Sequence, residues 1–464
     1  MLKLLVFSLT TSILIPATSP NTWGQILAAA VNYPVGTEPF FTFAADYNND
    51  GYKDLATANL TSNNISILLN NGDGTFTAAV NYPVPGNARD AFSADFDNDG
   101  NIDLAVPLVF SNSVAILFNN GNGTFAQPVL YATGTNPVTS FASDFNNDGH
   151  IDLAVTNANG NNVSIFLNDS TGAFVLDSNY AVVNHAQAVY GADFDKDGFM
   201  DLAVANFFAR SVSILLNNGD ATFAAAVNYA VGDSSNSVFS ADFNNDGFFD
   251  VAVAMIFDGI AILLNNGDGT FAPAVTYAAG GRAATVSSAD YDNDGDFDLA
   301  VANGMNNTIS ILLNNGSGAF VLENSYGAGT RTFSVFSADL DNDGDIDVVA
   351  TNRTANSVSI LMNLTIVVAA PSVKEIPREY ALDQNYPNPF NPATVIRYSL
   401  PVTSYVMLKI YNVLGQEVAT LVNEELQAGK YEVKWEARGM ASGIYFYKLE
   451  ALGFKETKKL LLIR

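Results

Sequence analysis

The stretch DFDKDGFMD, Asp193–Asp201, decides the fold because it recurs. Its counterparts are DYNNDGYKD from Asp46, DFDNDGNID from Asp95, DFNNDGHID from Asp144, DFNNDGFFD from Asp242, DYDNDGDFD from Asp290 and DLDNDGDID from Asp339. Their first residues lie 49, 49, 49, 49, 48 and 49 positions apart. The single short interval falls in VAVAMIFDGIA, between Asp250 and Ile262, and reads as a trimmed hairpin.

Each repeat has one grammar: a run such as SVFSADF, the Asp loop, DLAVAN, a polar turn, VSILLNNGDGTF and AAAVNY. Short runs rich in Val, Ile, Ala and Phe, broken by Asn-Gly and Asp-Gly turns, read as four antiparallel strands. Four strands in roughly 40–50 residues is the period of a propeller blade. The expected fold is therefore all-β, a seven-bladed β-propeller over residues 25–365; a β-solenoid is the alternative, although its repeats are usually shorter. The seventh repeat stops at VSILMN, Val358–Asn363, without its last strand, and LAAAVNYPVG, Leu27–Gly36, supplies one at the other end of the array. Ala30–Tyr33 is expected to pair with Ser359–Met362 and so hide an open edge.

The loops read D-x-[DN]-x-D-G-x-x-D, with oxygen donors at positions 1, 3, 5 and 9 and a backbone carbonyl at 7. The candidate ligands are Asp46, Asn48, Asp50 and Asp54 in the first loop and Asp95, Asp97, Asp99 and Asp103 in the second. Asp144, Asn146, Asp148 and Asp152 follow, then Asp193, Asp195, Asp197 and Asp201, then Asp242, Asn244, Asp246 and Asp250. Asp290, Asp292, Asp294 and Asp298, and Asp339, Asp341, Asp343 and Asp347, complete the set. Hard oxygens in a flexible loop suit calcium, whereas magnesium wants a tighter octahedron and softer metals want His or Cys. A metal-free Asx turn is the bland reading. Carboxylates crowded within nine residues repel unless a cation neutralises them. Residues 28–370 hold 37 acids against 7 Lys or Arg, and 25 of those acids are the candidate Asp ligands. About seven structural calcium ions are expected, stabilising the fold by binding the native state.

These loops and their flanking strands resemble FG-GAP/VCBS repeats, as in integrin α-subunit propellers and many bacterial surface proteins. The resemblance implies calcium held between two strands of each blade. All seven copies keep Asp at positions 1, 5 and 9, and the FG…GAP wording itself is absent, which favours the bacterial form. The motif NNGDGTF invites a second metal reading, but Asp73, Asp220 and Asp268 give way to Asn122 and Ser317 in other copies. Hairpin turn chemistry accounts for it better.

The chain has 464 residues, 48% apolar, with a net charge of −27 and no cysteine. Such a surface repels nucleic acid, and disulfide and thiol chemistry are excluded. Lys3, the apolar run Leu4–Ile15 and PATS read as a signal peptide over residues 1–24, cleaved between Ala17 and Gln25; a buried strand is the alternative. The run is too short to span a bilayer, and no other segment is long and apolar enough.

After IVVAAPSVKEIPRE, a linker over 366–380, the period ends and residues 371–464 carry 12 Lys or Arg against 10 acids. Strand-like runs at Val395–Leu400, Val406–Val413, Glu417–Val422, Tyr431–Ala437, Ile444–Ala451 and Thr457–Ile463 predict a small immunoglobulin-like β-sandwich. The text LDQNYPNPFNPATVIRYSLP, LKIYNVLGQEVATLV, GKYEVKWEA, SGIYFYKLEA and KKLLLIR is similar to the C-terminal sorting domain (Por type) of type IX secretion cargo, here over 381–464. That resemblance implies the type IX secretion machinery as a partner, and a protein secreted or held on the outer surface of a Gram-negative bacterium. An ordinary β-sandwich binding domain is the other reading.

Antiparallel order puts the Asp loops and the NGDGTF turns on one face of the ring. Of seven basic residues, Lys53 and Lys196 sit in the loops, while Arg89, Arg210, Arg282, Arg331 and Arg353 fall on the opposite face. Phe40, Phe110, Phe207, Phe208, Phe257 and Phe333 lie beside them. This face is a candidate site for a glycan or protein ligand, anionic for preference; arginines that merely solvate loops are the alternative. Catalysis needs converging acid–base groups. His150 sits at position 7 of a loop, His185 stands alone in a blade crossing, and there is no G-x-S-x-G elbow or Lys cluster. No catalytic residue is assigned: a non-enzymatic recognition or adhesion module is expected, and an extracellular polysaccharide-active, lyase-like enzyme is the alternative.

Overall fold

A computed structural model describes residues 25–169, 171–257, 259–365, 379–437 and 440–463. The expected signal peptide and all but the last two residues of the expected linker lie outside them. The chain divides into two compact units, Met1–Ile366 and Val367–Arg464.

The first unit is built from seven four-stranded antiparallel sheets. In blade 1 the strands run Pro39–Ala45, Asp54–Asn59, Asn64–Leu68 and Val80–Pro83, adjacent in that order. Every residue of the second strand is buried in all seven blades. Such a strand packs on both faces, which is why DLAVAN reads as a continuous run rather than an alternation. The outer strands leave residues such as Val80 exposed, while the Tyr82 ring turns in against Phe125.

The seventh blade takes its outer strand from the other end of the unit. Val31 pairs with Ile360, Asn32 with Ser359, Tyr33 with Val358 and Pro34 with Ser357. This is the expected pairing. A further bridge joins Leu27 to Asn363, and Ile26 and Leu27 are buried beneath it. The short repeat is also explained. Met255 pairs with Gly259 across a three-residue turn, where blade 1 spans four between Asn59 and Asn64. Gly259 has φ +90°, and a Cβ there would come within 2.2 Å of the Tyr277 carbonyl, so only glycine fits.

Along the axis the inner strands bring one side chain per blade to a common level, three residues before each loop. Phe43, Phe92, Phe141, Tyr190, Phe239 and Phe336 occupy it, with neighbouring ring centroids 4.5–5.4 Å apart. Ser287 takes the seventh place and shares a 2.7 Å hydrogen bond with Ser337.

The second unit is a two-sheet β-sandwich. One sheet holds Ala381–Leu382, Ala393–Leu400 and Gly429–Glu436; the other holds Glu417–Leu426, Ser404–Asn412, Gly443–Ala451 and Phe454–Leu462. Alternate residues such as Ile396, Tyr398, Leu408, Tyr447 and Leu449 turn inward around Phe390 and Trp435.

Candidate metal loops and the arginine bowl

Each Asp loop is folded by its own backbone. Asp46 accepts hydrogen bonds from the Asp50 and Gly51 amides at 3.1 and 2.8 Å, and Asp50 accepts one from Tyr52 at 2.9 Å. Position 4 is left-handed in all seven copies, φ 57–60°, which favours asparagine; Lys196 takes it in the fourth loop. Oxygens of positions 1, 3 and 5 thereby gather within 4.8 Å of one another in the loops starting at Asp95, Asp193 and Asp290. In the last loop Asp339, Asp341 and Asp347 do so. Where position 3 is Asn, its amide donates to the position 5 carboxylate, as from Asn48 to Asp50 at 2.9 Å. Asp193, Asp292 and Asp339 each keep a buried Oδ1 with no donor. Such unpartnered hard oxygens fit a metal ion.

The position 9 aspartates have a second duty that motif reading alone does not show. Asp201 is fully buried and accepts the Phe194 amide at 2.9 Å and the Asn217 amide at 2.7 Å, joining the loop to the end of the third strand. Burial pushes these carboxyls up, helped by neighbouring loop aspartates: Asp54 to about 6, Asp201 to about 7 and Asp298 to about 8.

Between blades the fastening comes from position 2 of the loop and the first Asn of NNG. The Asn265 amide donates to the Phe194 carbonyl of the preceding blade at 2.8 Å, and the Phe194 ring packs edge-on against Phe271. Asn70, Asn119, Asn168, Asn217, Asn314 and Asn363 repeat the bond at 2.7–3.0 Å, and Asn70, which reaches Leu340, closes the ring. The rest of NNGDGTF is turn chemistry, as expected: Asp73 and Asn122 accept the amides of Thr75 and Thr124. Adjacent loops also touch. Asn98 bonds the His150 ring at 2.8 Å, and the Lys196 ammonium lies 3.9 Å from the Phe248 ring centroid.

On the opposite face, residues six positions before the loops form the floor of a bowl at the axis. They are Phe40, Arg89, Gln187, Asn236, Ala284 and Phe333, with Val138 at the equivalent place in the third blade, a varied set in an otherwise repetitive ring. The bowl has two adjoining halves of about 190 and 280 Å³. Arg282, Arg331 and Arg353 line the first and Arg89 and Arg353 the second, with His185, Phe207 and Ile256 in the walls. Arg353 pairs with Glu38 and lies 3.8 Å from the Phe40 ring centroid; Arg89 is 5.2 Å from the same ring. Phe110, Phe208 and Phe257 are exposed on the turns of this face. Arg210 does not join the bowl. It holds a left-handed turn position, φ 53°, where Asn63 and Asn112 stand in other blades, and it is exposed.

The FG-GAP-like repeat model matches in six overlapping windows, from 46–106 to 290–350, about two thirds of the chain. The chain belongs to the FG-GAP-like repeat family. The tail of this FG-GAP protein, residues 384–463, matches the secretion system C-terminal sorting domain. That tail indicates export by type IX secretion to the cell surface or extracellular space, and engagement of that machinery. No helix among the described residues is long and apolar enough to cross a membrane. No curated protein matches the chain. Among solved structures, BBS1N in complex with ARL6DN is similar in crystals soaked with lead and with mercury. The lead form has a TM-score of 0.54 at 13% identity, over 73% of this chain and 97% of that one. The mercury form has a TM-score of 0.53 at 14% identity, over 72% and 96%. PorZ of the Porphyromonas gingivalis type IX secretion system has a TM-score of 0.46 at 16% identity, over 93% of this chain and 60% of that one.

Proposed function

We propose that the protein is a calcium-stapled propeller that recognises a ligand on the face opposite its Asp loops, as a non-enzymatic adhesion or recognition module outside the cell. Calcium is the reading favoured by the all-oxygen donor set and by the orphaned carboxylate oxygens of Asp193, Asp292 and Asp339. The observation that carries the recognition role is the convergence of Arg89, Arg282, Arg331 and Arg353 on one bowl in a strongly acidic propeller. Cations gathered on an acidic body draw anionic or glycan partners by complementarity. Against catalysis, His185 is the one imidazole among the lining residues, and no tyrosine, lysine or carboxylate lines the bowl with it. Burial and Arg89 hold His185 below its ordinary range, so it is neutral at pH 7. A glycan array at millimolar calcium, run beside a lyase assay on the same polysaccharides, tests the reading. Binding without turnover is expected, and appearance of double-bond absorbance overturns it in favour of a polysaccharide-active enzyme.

A further inference from the structure

Granted the recognition face proposed above, we infer that the bowl takes the carboxylate of an acidic sugar, a uronic-acid residue of an extracellular polysaccharide, between Arg89 and Arg353. Three observations point there. First, the buried Nε of Arg89 has no partner, and among the described residues its guanidinium meets no hydrogen-bond acceptor. Arg353 likewise keeps a buried, unpartnered Nε although its Nη2 pairs with Glu38. A buried donor without an acceptor is costly, and it is satisfied in full by a carboxylate that can accept two parallel bonds.

Second, the protein's own acids leave this need unmet. Asp90, next to Arg89, spends its oxygens on the Ala91 amide at 2.9 Å and on the Ser140 amide and hydroxyl at 2.9 and 3.3 Å. Burial and the nearby Arg353 push Arg89 down to about 10, the mark of a charge held without sufficient compensation, yet it stays protonated at pH 7. Third, the surroundings suit a sugar ring. Gln187 and Asn236 put amides on the floor, bonded to each other at 3.2 Å. At the rim Arg282 lies over exposed Phe257 at 4.5 Å, and exposed Phe208 packs on His185 at 4.7 Å. Aromatic faces for apolar C–H surfaces, with amides for hydroxyls and a half-buried guanidinium for the acid as the few convergent polar groups, make a specific small-ligand site.

Calorimetry on the full chain in millimolar calcium tests this, with a glucuronide-terminated oligosaccharide, its methyl ester and a sulfated analogue as probes. The acid should bind at least about tenfold more tightly than the ester, the range for losing a hydrogen bond to a charged group. Arg89→Met should weaken the acid by a similar factor while leaving the melting midpoint equal or higher, since it removes an orphaned donor. Arg331→Gln, an exposed substitution, should weaken it less, and Arg210→Ala should leave it within twofold. Equal affinity for acid and ester, wild-type binding by Arg89→Met, or preference for the sulfated analogue overturns the inference. If neutral glycans bind and Phe257→Ala abolishes that binding, recognition at this face stands and the carboxylate site falls. If no glycan of either kind binds, both fall.

Discussion

Two adjacent asparagines in LLNNGDGTF offer a sharp test of how the ring is fastened. Asn265 is 5% exposed, and its amide donates to the Phe194 carbonyl at 2.8 Å and the Phe249 carbonyl at 3.0 Å, while its Oδ1 accepts the Gly267 amide at 2.9 Å. Asn266 is exposed, and its side-chain amide donates to the Thr270 hydroxyl within its own turn, at 3.0 Å. Asn265→Ala removes three bonds worth about 1 kcal/mol each and leaves buried groups unpaired, so about 3 kcal/mol is the expected loss. Unfolding entropy runs to ~2.1 cal/mol/K per residue, so over ~340 residues that loss lowers the midpoint by about 4 °C. Asn266→Ala should cost no more than about 0.5 kcal/mol, under 1 °C. Scanning calorimetry of both variants with calcium present decides the matter. Equal shifts would mean that the motif is a hairpin turn and nothing more, and the inter-blade tie would be refuted.

The closing strand can be tested in the same way: Leu27→Ala, at a fully buried site, should cost about 2–5 kcal/mol, whereas Val31→Ala, 54% exposed, should cost little. A melt in which the two behave alike rejects the view that this segment latches the ring. Calcium removal carries a sign as well as a size. Asp54, Asp201 and Asp298, raised to about 6, 7 and 8 mainly by burial, favour the protonated form in the metal-free fold. Their folded values lie above the unfolded one, so metal-free stability is fully present at acid pH and is lost as pH rises through about 4 to 8. EDTA-treated protein should therefore melt higher at pH 5 than at pH 8, and the rise on adding calcium should be larger at pH 8. The opposite order in a thermal-shift titration would show that the position 9 carboxyls are not what calcium neutralises.

The blades and their closure were legible because both are written in spacing. A 49-residue period sets the blade, and the strand missing after Asn363 reappears at Leu27–Gly36. The gathering of positions 1, 3 and 5 in the loops from Asp95, Asp193 and Asp290 was legible too, since loop geometry is local and glycine and asparagine mark its left-handed turns. Asn265 was not, because its partner Phe194 lies 71 residues away in another blade. A signal was nonetheless present: the first Asn of the motif never varies among the seven copies, while the third position past it changes among Asp, Asn, Thr and Ser in the six copies that carry the turn. The arginines were named from the sequence as a face, but only the ring order shows that Arg210 departs from it. That residue was grouped by strand connectivity, whereas its position is fixed by the φ of a turn.

Variation within the ring itself separates scaffold from site. Positions that fasten strands and blades, such as Asp201 and Asn217, recur in every copy because each blade must meet the same two neighbours. The floor six residues ahead of the loop is varied by contrast, with Phe, Arg, Val, Gln, Asn and Ala among its seven places. Sevenfold symmetry therefore gives no reason for any one residue there, and Arg89 needs a local cause. Its contact with the Phe40 ring is offset by a buried Nε without an acceptor, which weakens the fold by about 1–3 kcal/mol. The Asp and Asn hydrogen bonds that tie every blade leave a scaffold able to carry that cost. A destabilising group kept on the floor of the bowl, beside a second arginine, is the arrangement expected where binding, rather than folding, completes the hydrogen bonds.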